Sequence, residues 1–237
     1  MELWIVRHGE TADNHLRLIA GHGPGGLSEL GISQAVKTGK RLCQETFGEI
    51  YCSDLVRTKE TLENILSSHP NKEALAINYS ELLREKGAGV LQGKPLTVSK
   101  ELAEKSGLPL RRFKAEEAES WEDVYGRAEK FIEGLLEKHI QNKNVNIPKQ
   151  EGVEIIEESK LEENGKVKEE VKKILVVTHG GWIMELFNAI NYRVSKIEPV
   201  LLNNTMNCSV NILRISASED NGILYEIVSR NDVAHLL

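Results

Sequence analysis

Short apolar runs alternate along the chain with longer stretches of helical period. The runs at residues 3–6, 50–52, 76–79 and 174–178 are bounded by polar residues and predict strands. Two later runs, at 210–215 and 224–228, flank a polar Ser-Ala-Ser-Glu-Asp-Asn-Gly turn and predict a hairpin at one sheet edge. Between the first two strands, Ile32, Ala35, Val36, Leu42, Cys43 and Phe47 recur at three- and four-residue steps, which predicts one amphipathic helix with a single buried stripe. A second helix is expected to start at a cap on Asp54 and to turn Leu55, Leu62, Ile65 and Leu66 inward. Ser120 and Asp123 read as a capping box, opening a helix that buries Val124, Ala128, Phe131, Ile132 and Leu135 and ends near His139. Strands alternating with helices in this way predict an α/β fold, a sheet sandwiched between helical layers.

Residues 141–172 break the pattern. They are rich in Asn, Lys and Glu and carry no sustained apolar period, and their 6 lysines and 8 glutamates nearly cancel. The segment reads as a charged, mobile insertion in one domain spanning residues 1–237. A sharper alternative is a lid or docking loop, with Val153, Ile155 and Ile156 forming a short strand.

Composition narrows the classes further. With 237 residues, 40% apolar and 28% charged, the chain can bury a substantial core and is not of disordered or membrane-spanning type. Its 30 basic and 36 acidic residues give a formal charge of −6, which argues against a broad footprint for nucleic acid or an anionic membrane. Any anion must therefore be held locally. Cys43, Cys52 and Cys208 form an odd number without CxxC spacing, so neither a disulfide framework nor a thiolate zinc site is expected. The amino terminus enters a strand-like run directly, without a signal-peptide pattern, and a cytoplasmic location is expected.

Two segments carry candidate chemistry. Arg7-His8-Gly9-Glu10-Thr11 follows the first strand, and Thr178-His179-Gly180-Gly181 ends another apolar strand just before a helical run from Trp182 to Phe187. Open α/β sheets bind ligands at the carboxyl ends of their strands, and a helix start there adds backbone N–H groups. Two histidines on neighbouring parallel strands can then meet over one small anion. His15, His22, His69, His139 and His235 lack this context and read as surface or packing residues, with His22 the one placed to border the site.

These two segments, with Ser53-Asp54-Leu55-Val56-Arg57-Thr58 between them, resemble the histidine phosphatase superfamily, also called the phosphoglycerate mutase-like family. The resemblance implies a three-layer α/β/α sandwich, its central sheet mostly parallel with an antiparallel edge strand. It implies that His8 is the nucleophile that is transiently phosphorylated, while Arg7, Arg57 and His179 surround the transferring phosphoryl group. His8 should then have a lowered pKa among cations, and its second ring nitrogen should be fixed by a backbone carbonyl. The segment from Leu83 to Gly93 resembles the family's acid loop, which makes Glu85 the proton donor, protonated through partial burial or an adjacent phosphate dianion. Asn14 is expected to hydrogen-bond the phosphate, and Gly21, Gly180 and Asn204 to contact substrate. The implied chemistry needs no metal and no cofactor.

Within the family, the Gly-rich loop at 21–29, the Arg84-Glu85-Lys86 context and the insertion before the second histidine strand are most similar to the TIGAR-like fructose-2,6-bisphosphatases. The expected partner is thus a small phosphorylated metabolite, such as a sugar bisphosphate, and the oligomeric state stays open. Mutases read Glu-Arg-His-Tyr at the acid with a lysine beyond, whereas this chain reads Glu85-Lys86-Gly87-Ala88 with Leu96 at the lysine's place, which favours hydrolysis over transfer. The alternatives are a cofactor-dependent phosphoglycerate mutase and a non-catalytic phosphate-binding module. Arg111-Arg112 could bind a second phosphate, but an exposed basic pair is the favoured reading.

Overall fold

In a computed structural model that describes residues 1–70, 72, 75–140, 171–201, 205–218 and 222–237, a six-stranded sheet lies between helices. The strands are β1 (Glu2–Arg7), β2 (Phe47–Cys52), β3 (Ile77–Tyr79), β4 (Lys173–Thr178), β5 (Val210–Ala217) and β6 (Ile223–Asp232). The main helices are α1 (Ala12–His15), α2 (Glu29–Leu42), α3 (Val56–Leu66), α4 (Leu96–Ser106), α5 (Trp121–His139) and α6 (Gly180–Ser195). The sheet order is β3-β2-β4-β1-β5-β6, with the first four strands parallel. The α/β/α layering and the mostly parallel sheet are as expected. One detail differs: the reversed strand is β5, second from the edge, because the hairpin turns β6 back antiparallel to β5 and makes β6 the edge.

The central strands are hydrophobic on both faces, as a sheet covered on both sides requires. Leu3 and Ile5 of β1 and Ile174 and Val176 of β4 pack toward α5 and α6, with Val124, Phe131, Trp182 and Phe187. Their neighbours Val6, Leu175 and Val177 face the other way, onto Leu42 of α2 and Leu62 and Ile65 of α3. α5 begins at the Ser120–Asp123 capping box read from the sequence.

Two helix readings need correction. The buried stripe of α2 is Gly31, Ala35, Thr38, Gly39 and Leu42, whereas Ile32 is 44% exposed and Phe47 opens β2. The stripe is rotated because glycine allows a closer approach than a branched side chain. A Cβ on Gly39 would lie 2.5 Å from the carbonyl oxygen of Ile65 in α3, and one on Gly31 only 2.0 Å from that of Glu10. Nor does Asp54 cap α3. Leu55 occupies the N-cap position without a side-chain bond, and the Asp54 carboxylate is instead gripped by the Arg84 guanidinium through Nε and Nη2. A charge-assisted, two-pronged contact outcompetes a single bond to a helix amide.

The proposed strand at Val153, Ile155 and Ile156, and the insertion's mobility, fall on residues 141–170, outside the described residues. Both flanks of that segment meet at one carboxylate: Glu49 of β2 pairs with Lys138 at 2.9 Å and with Lys172 at 2.7 Å. Among the described residues, no helix is long and apolar enough to cross a membrane.

Alanine normally stabilises a helix relative to glycine by about 1 kcal/mol. For Gly39→Ala we expect the reverse, a loss of roughly 1–3 kcal/mol in urea unfolding, because the added methyl overpacks the α2–α3 contact. A gain in stability would show that the helices do not meet backbone to backbone here.

Candidate active site

Strand register creates the site. Arg7 pairs with Thr178 across β1 and β4, and Cys52 pairs with Val177 across β2 and β4. The pairing continues one residue further, with His8 N donating to Thr178 O at 2.9 Å and Ser53 N to Val177 O at 3.0 Å. His8, Ser53 and His179 therefore leave three adjacent strands at the same level. The two imidazole centroids stand 5.2 Å apart, and both rings are buried, at 3% and 0% exposure.

His8 Nδ1 lies 2.7 Å from the carbonyl oxygen of Gly9. A carbonyl can only accept, so the proton sits on Nδ1 and Nε2 keeps its lone pair. Burial, then Arg7 and Arg57, hold the His8 pKa well below the ordinary imidazole value, against the pull of the Gly9 carbonyl. Burial, with Arg57, His8 and Arg7, does the same to His179. The lowered His8 pKa and the carbonyl partner are both as expected from the sequence. His179 Nε2 meets Ser53 Oγ at 2.9 Å, while its Nδ1 is buried without a partner among the described residues. A neutral ring that accepts the Ser53 proton at Nε2 carries its own proton on Nδ1, the form that serves an anion.

The two arginines are held by carbonyl oxygens rather than by carboxylates. Arg7 Nη1 donates to Thr205 O, and Arg57 donates to Gly21 O at 2.8 Å and to Gly23 O at 3.4 Å. The Nε of each is buried and has no partner among the described residues. Burial lowers both guanidinium pKa values, and the Glu85 carboxylate opposes the change in each.

Glu85 reaches the same place from the acid loop. It is half-buried, and its carboxylate accepts from Gly181 N at 3.0 Å, at the start of α6, and from Lys86 N at 2.8 Å. A Cβ at 181 would stand 2.1 Å from Glu85 Oε1, so a larger residue there would displace the Glu85 carboxylate. Gly180 packs less tightly on Arg7, 3.3 Å from its Nε to a built Cβ. Gly21, at φ +50°, turns its carbonyl to Arg57 and abuts Ala88. Asn14 accepts at Oδ1 from Thr11 N and from Asn207 Nδ2, which leaves its own amide N–H groups as donors. Asn204 falls outside the described residues. His22 does border the site, with Nε2 2.7 Å from the Glu85 carbonyl oxygen.

Arg111 departs from the favoured exposed reading. Its guanidinium forks onto Glu185 of α6 at 2.6 and 2.8 Å, and Glu185 is fully buried, so the ion pair answers the desolvation of that carboxylate. Arg112 is exposed. Sequence reasoning missed Ser53, Asn207 and Gly181 as site residues. Ser53 carried a signal, because it follows β2 as His8 follows β1. Asn207, whose Nδ2 also holds His8 O at 2.9 Å, carried none.

The profile of the histidine phosphatase superfamily (branch 1) matches residues 3–147. The chain belongs to this family. Among curated relatives, "Fructose-2,6-bisphosphatase TIGAR" of Xenopus tropicalis is 37% identical over 134 residues, covering 56% of this chain and 49% of that protein. The Mus musculus protein of the same name is 35% identical over 136 residues, covering 57% of this chain and 51% of its own length. The chain thus spans about half the length of these relatives. Among solved structures, a mycobacterial glucosyl-3-phosphoglycerate phosphatase in complex with VO3 shares the fold at TM-score 0.73 and 23% identity, over 98% of this chain and 99% of that one.

The two buried histidines make stability depend on pH in a defined direction. Unfolded imidazoles take up protons near pH 6.5 while the folded ones, with lowered pKa values, do not, so stability falls as pH drops through about 6.5. In phosphate-free buffer the urea midpoint should fall from pH 7.5 to 5.5, and it should fall less in a His8→Gln/His179→Gln double variant. An equal fall in both proteins would mean that these rings titrate normally.

Proposed function

We propose that the chain hydrolyses small phosphate monoesters through a phosphohistidine formed on His8. The observation that carries this reading is the His8 hydrogen bond: Nδ1–H donates to Gly9 O, leaving a nucleophilic Nε2 beside Arg7, Arg57 and His179. In the first step Nε2 forms a bond to phosphorus as the ester P–O bond breaks, and Glu85 gives its proton to the departing alkoxide. Arg7, Arg57 and His179 meet the negative charge on the equatorial oxygens. In the second step water attacks the phosphohistidine, the Glu85 carboxylate takes its proton, and His8 and inorganic phosphate are released. Asn14 donates to a phosphate oxygen, Gly21 and Gly180 border the substrate, and Asn204 is a further expected substrate contact.

The preferred substrate in this reading is a sugar bisphosphate such as fructose 2,6-bisphosphate. The two TIGAR relatives support it. So does Lys86, next to the acid, whose ammonium lies 5.6 Å from the centre of the Trp121 ring and is placed to meet a second anionic group. Hydrolysis is favoured over mutase chemistry because the position that mutases fill with tyrosine is Ala88, buried against Gly21. The same reading takes residues 1–237 as one domain carrying an insertion at 141–172, acting in the cytosol.

The deciding measurement is phosphate release from a panel of fructose 2,6-bisphosphate, bisphosphoglycerate, phosphoenolpyruvate and phosphopeptides, with His8→Ala as the blank. We expect His8→Ala to lose activity by at least about 1,000-fold, and wild-type enzyme quenched in turnover to carry acid-labile phosphate on His8. Glu85→Gln should slow poor leaving groups by roughly 100-fold while phosphate affinity is largely kept. Turnover surviving in His8→Ala would remove the nucleophile assignment.

A further inference from the structure

One side chain of another element, Arg127, holds three carbonyls of the acid loop at once. Arg127 of α5 donates from Nη1 to Leu82 O at 3.1 Å and to Arg84 O at 2.7 Å, and from Nη2 to Glu85 O at 3.2 Å. The remaining edge of its guanidinium grips Glu119, Nε to Oε1 at 3.1 Å and Nη2 to Oε2 at 2.9 Å. Glu119 in turn binds the loop itself. Its Oε2 accepts from Gly87 N at 2.7 Å, and its backbone N donates to Gly87 O at 2.9 Å. The segment from Leu82 to Gly87 is thus clasped at the carbonyls before the Glu85 side chain and at the amide after it.

Each contact the clasp makes with the loop itself is to backbone, so it fixes where the Glu85 Cα stands and leaves its carboxyl to face the crevice. The side chains that lock the rest of the loop are different ones. Trp182 Nε1 also donates to Leu82 O at 2.7 Å, Thr178 Oγ1 holds Leu83 O at 2.7 Å, and Asp54 holds the Arg84 side chain. None of these reaches the Glu85 carbonyl; Arg127 does, and His22 Nε2 meets it at 2.7 Å. Proton transfer is sensitive to such placement, because a donor displaced by about 1 Å loses its alignment with the leaving oxygen.

We propose that Arg127, acting through Glu119, is the positioning residue for the general acid, setting proton delivery to the leaving group without touching substrate. A lysine cannot replace it. One ammonium cannot span three carbonyls and both oxygens of a carboxylate, whereas the planar fork does. The proposal rests on the reading of Glu85 as proton donor, and its test separates the two.

The experiment measures kcat/KM across a series of aryl and alkyl phosphates of rising leaving-group pKa, for wild type, Glu85→Gln, Arg127→Lys and Glu119→Gln, with vanadate affinity and melting temperature for each. An enzyme that protonates its leaving group shows a shallow dependence. We expect Glu85→Gln to steepen it, and Arg127→Lys and Glu119→Gln to steepen it in the same sense, with poor leaving groups losing at least 10-fold more than good ones while vanadate binding is retained. Should Arg127→Lys fail to fold, Glu119→Gln carries the test alone. A uniform loss across the series, or no loss, in a folded Arg127→Lys or Glu119→Gln overturns the positioning role. If Glu85→Gln itself leaves the dependence shallow, the acid assignment falls instead, and the proposal falls with it.

Discussion

The parallel pairing of β1 with β4 is the constraint on which the site depends. Side chains alternate faces along a strand, so a slip of one residue would exchange core and opposite faces throughout β1. It would also move His8 away from His179. Because Leu3 and Ile5 pack on one side and Val6 on the other, the hydrophobic pattern that buries the sheet also sets the register of its carboxyl ends. The energy that places the two imidazoles 5.2 Å apart therefore comes from the core and not from any attraction between them.

A second constraint is the way the chain distributes its cations. Arg84, Arg111 and Arg127 each face a carboxylate, so their charge is largely spent on the fold. Arg7 and Arg57 are held by neutral carbonyls instead. Carbonyl dipoles orient a guanidinium without cancelling it, and at low dielectric the residual field is strong. A protein of net charge −6 can in this way hold one pocket of positive potential. Burial first, and then the same field, keep His8 unprotonated, so anion binding and nucleophilicity share part of their cause.

What was legible in the sequence had a local signature. A strand run ending in His-Gly marks both histidines, a capping box marks the start of α5, and alternation between strands and helices marks the layering. What was not legible depends on partners distant along the chain. The rotation of α2 follows from glycines that meet α3 and Glu10, and Asp54 was read as a cap because nothing near it announced Arg84. Arg111 looked like a surface basic residue until Glu185 proved fully buried beneath it. Arg127 lies mid-helix, and its target carbonyls are more than 40 residues away. Backbone carbonyls leave no trace in a residue-type pattern, so a side chain that works on them stays hidden until the fold is known.

Glu49 joins the flanks of the 141–170 segment to the starts of β2 and β4, at the rim of the sheet opposite the strand ends that bear His8 and His179. With α5 and β4 fastened to one carboxylate there, whatever occupies the interval enters and leaves at the base of the fold. Both ends of the interval are thereby anchored away from the rim that bears the two imidazoles.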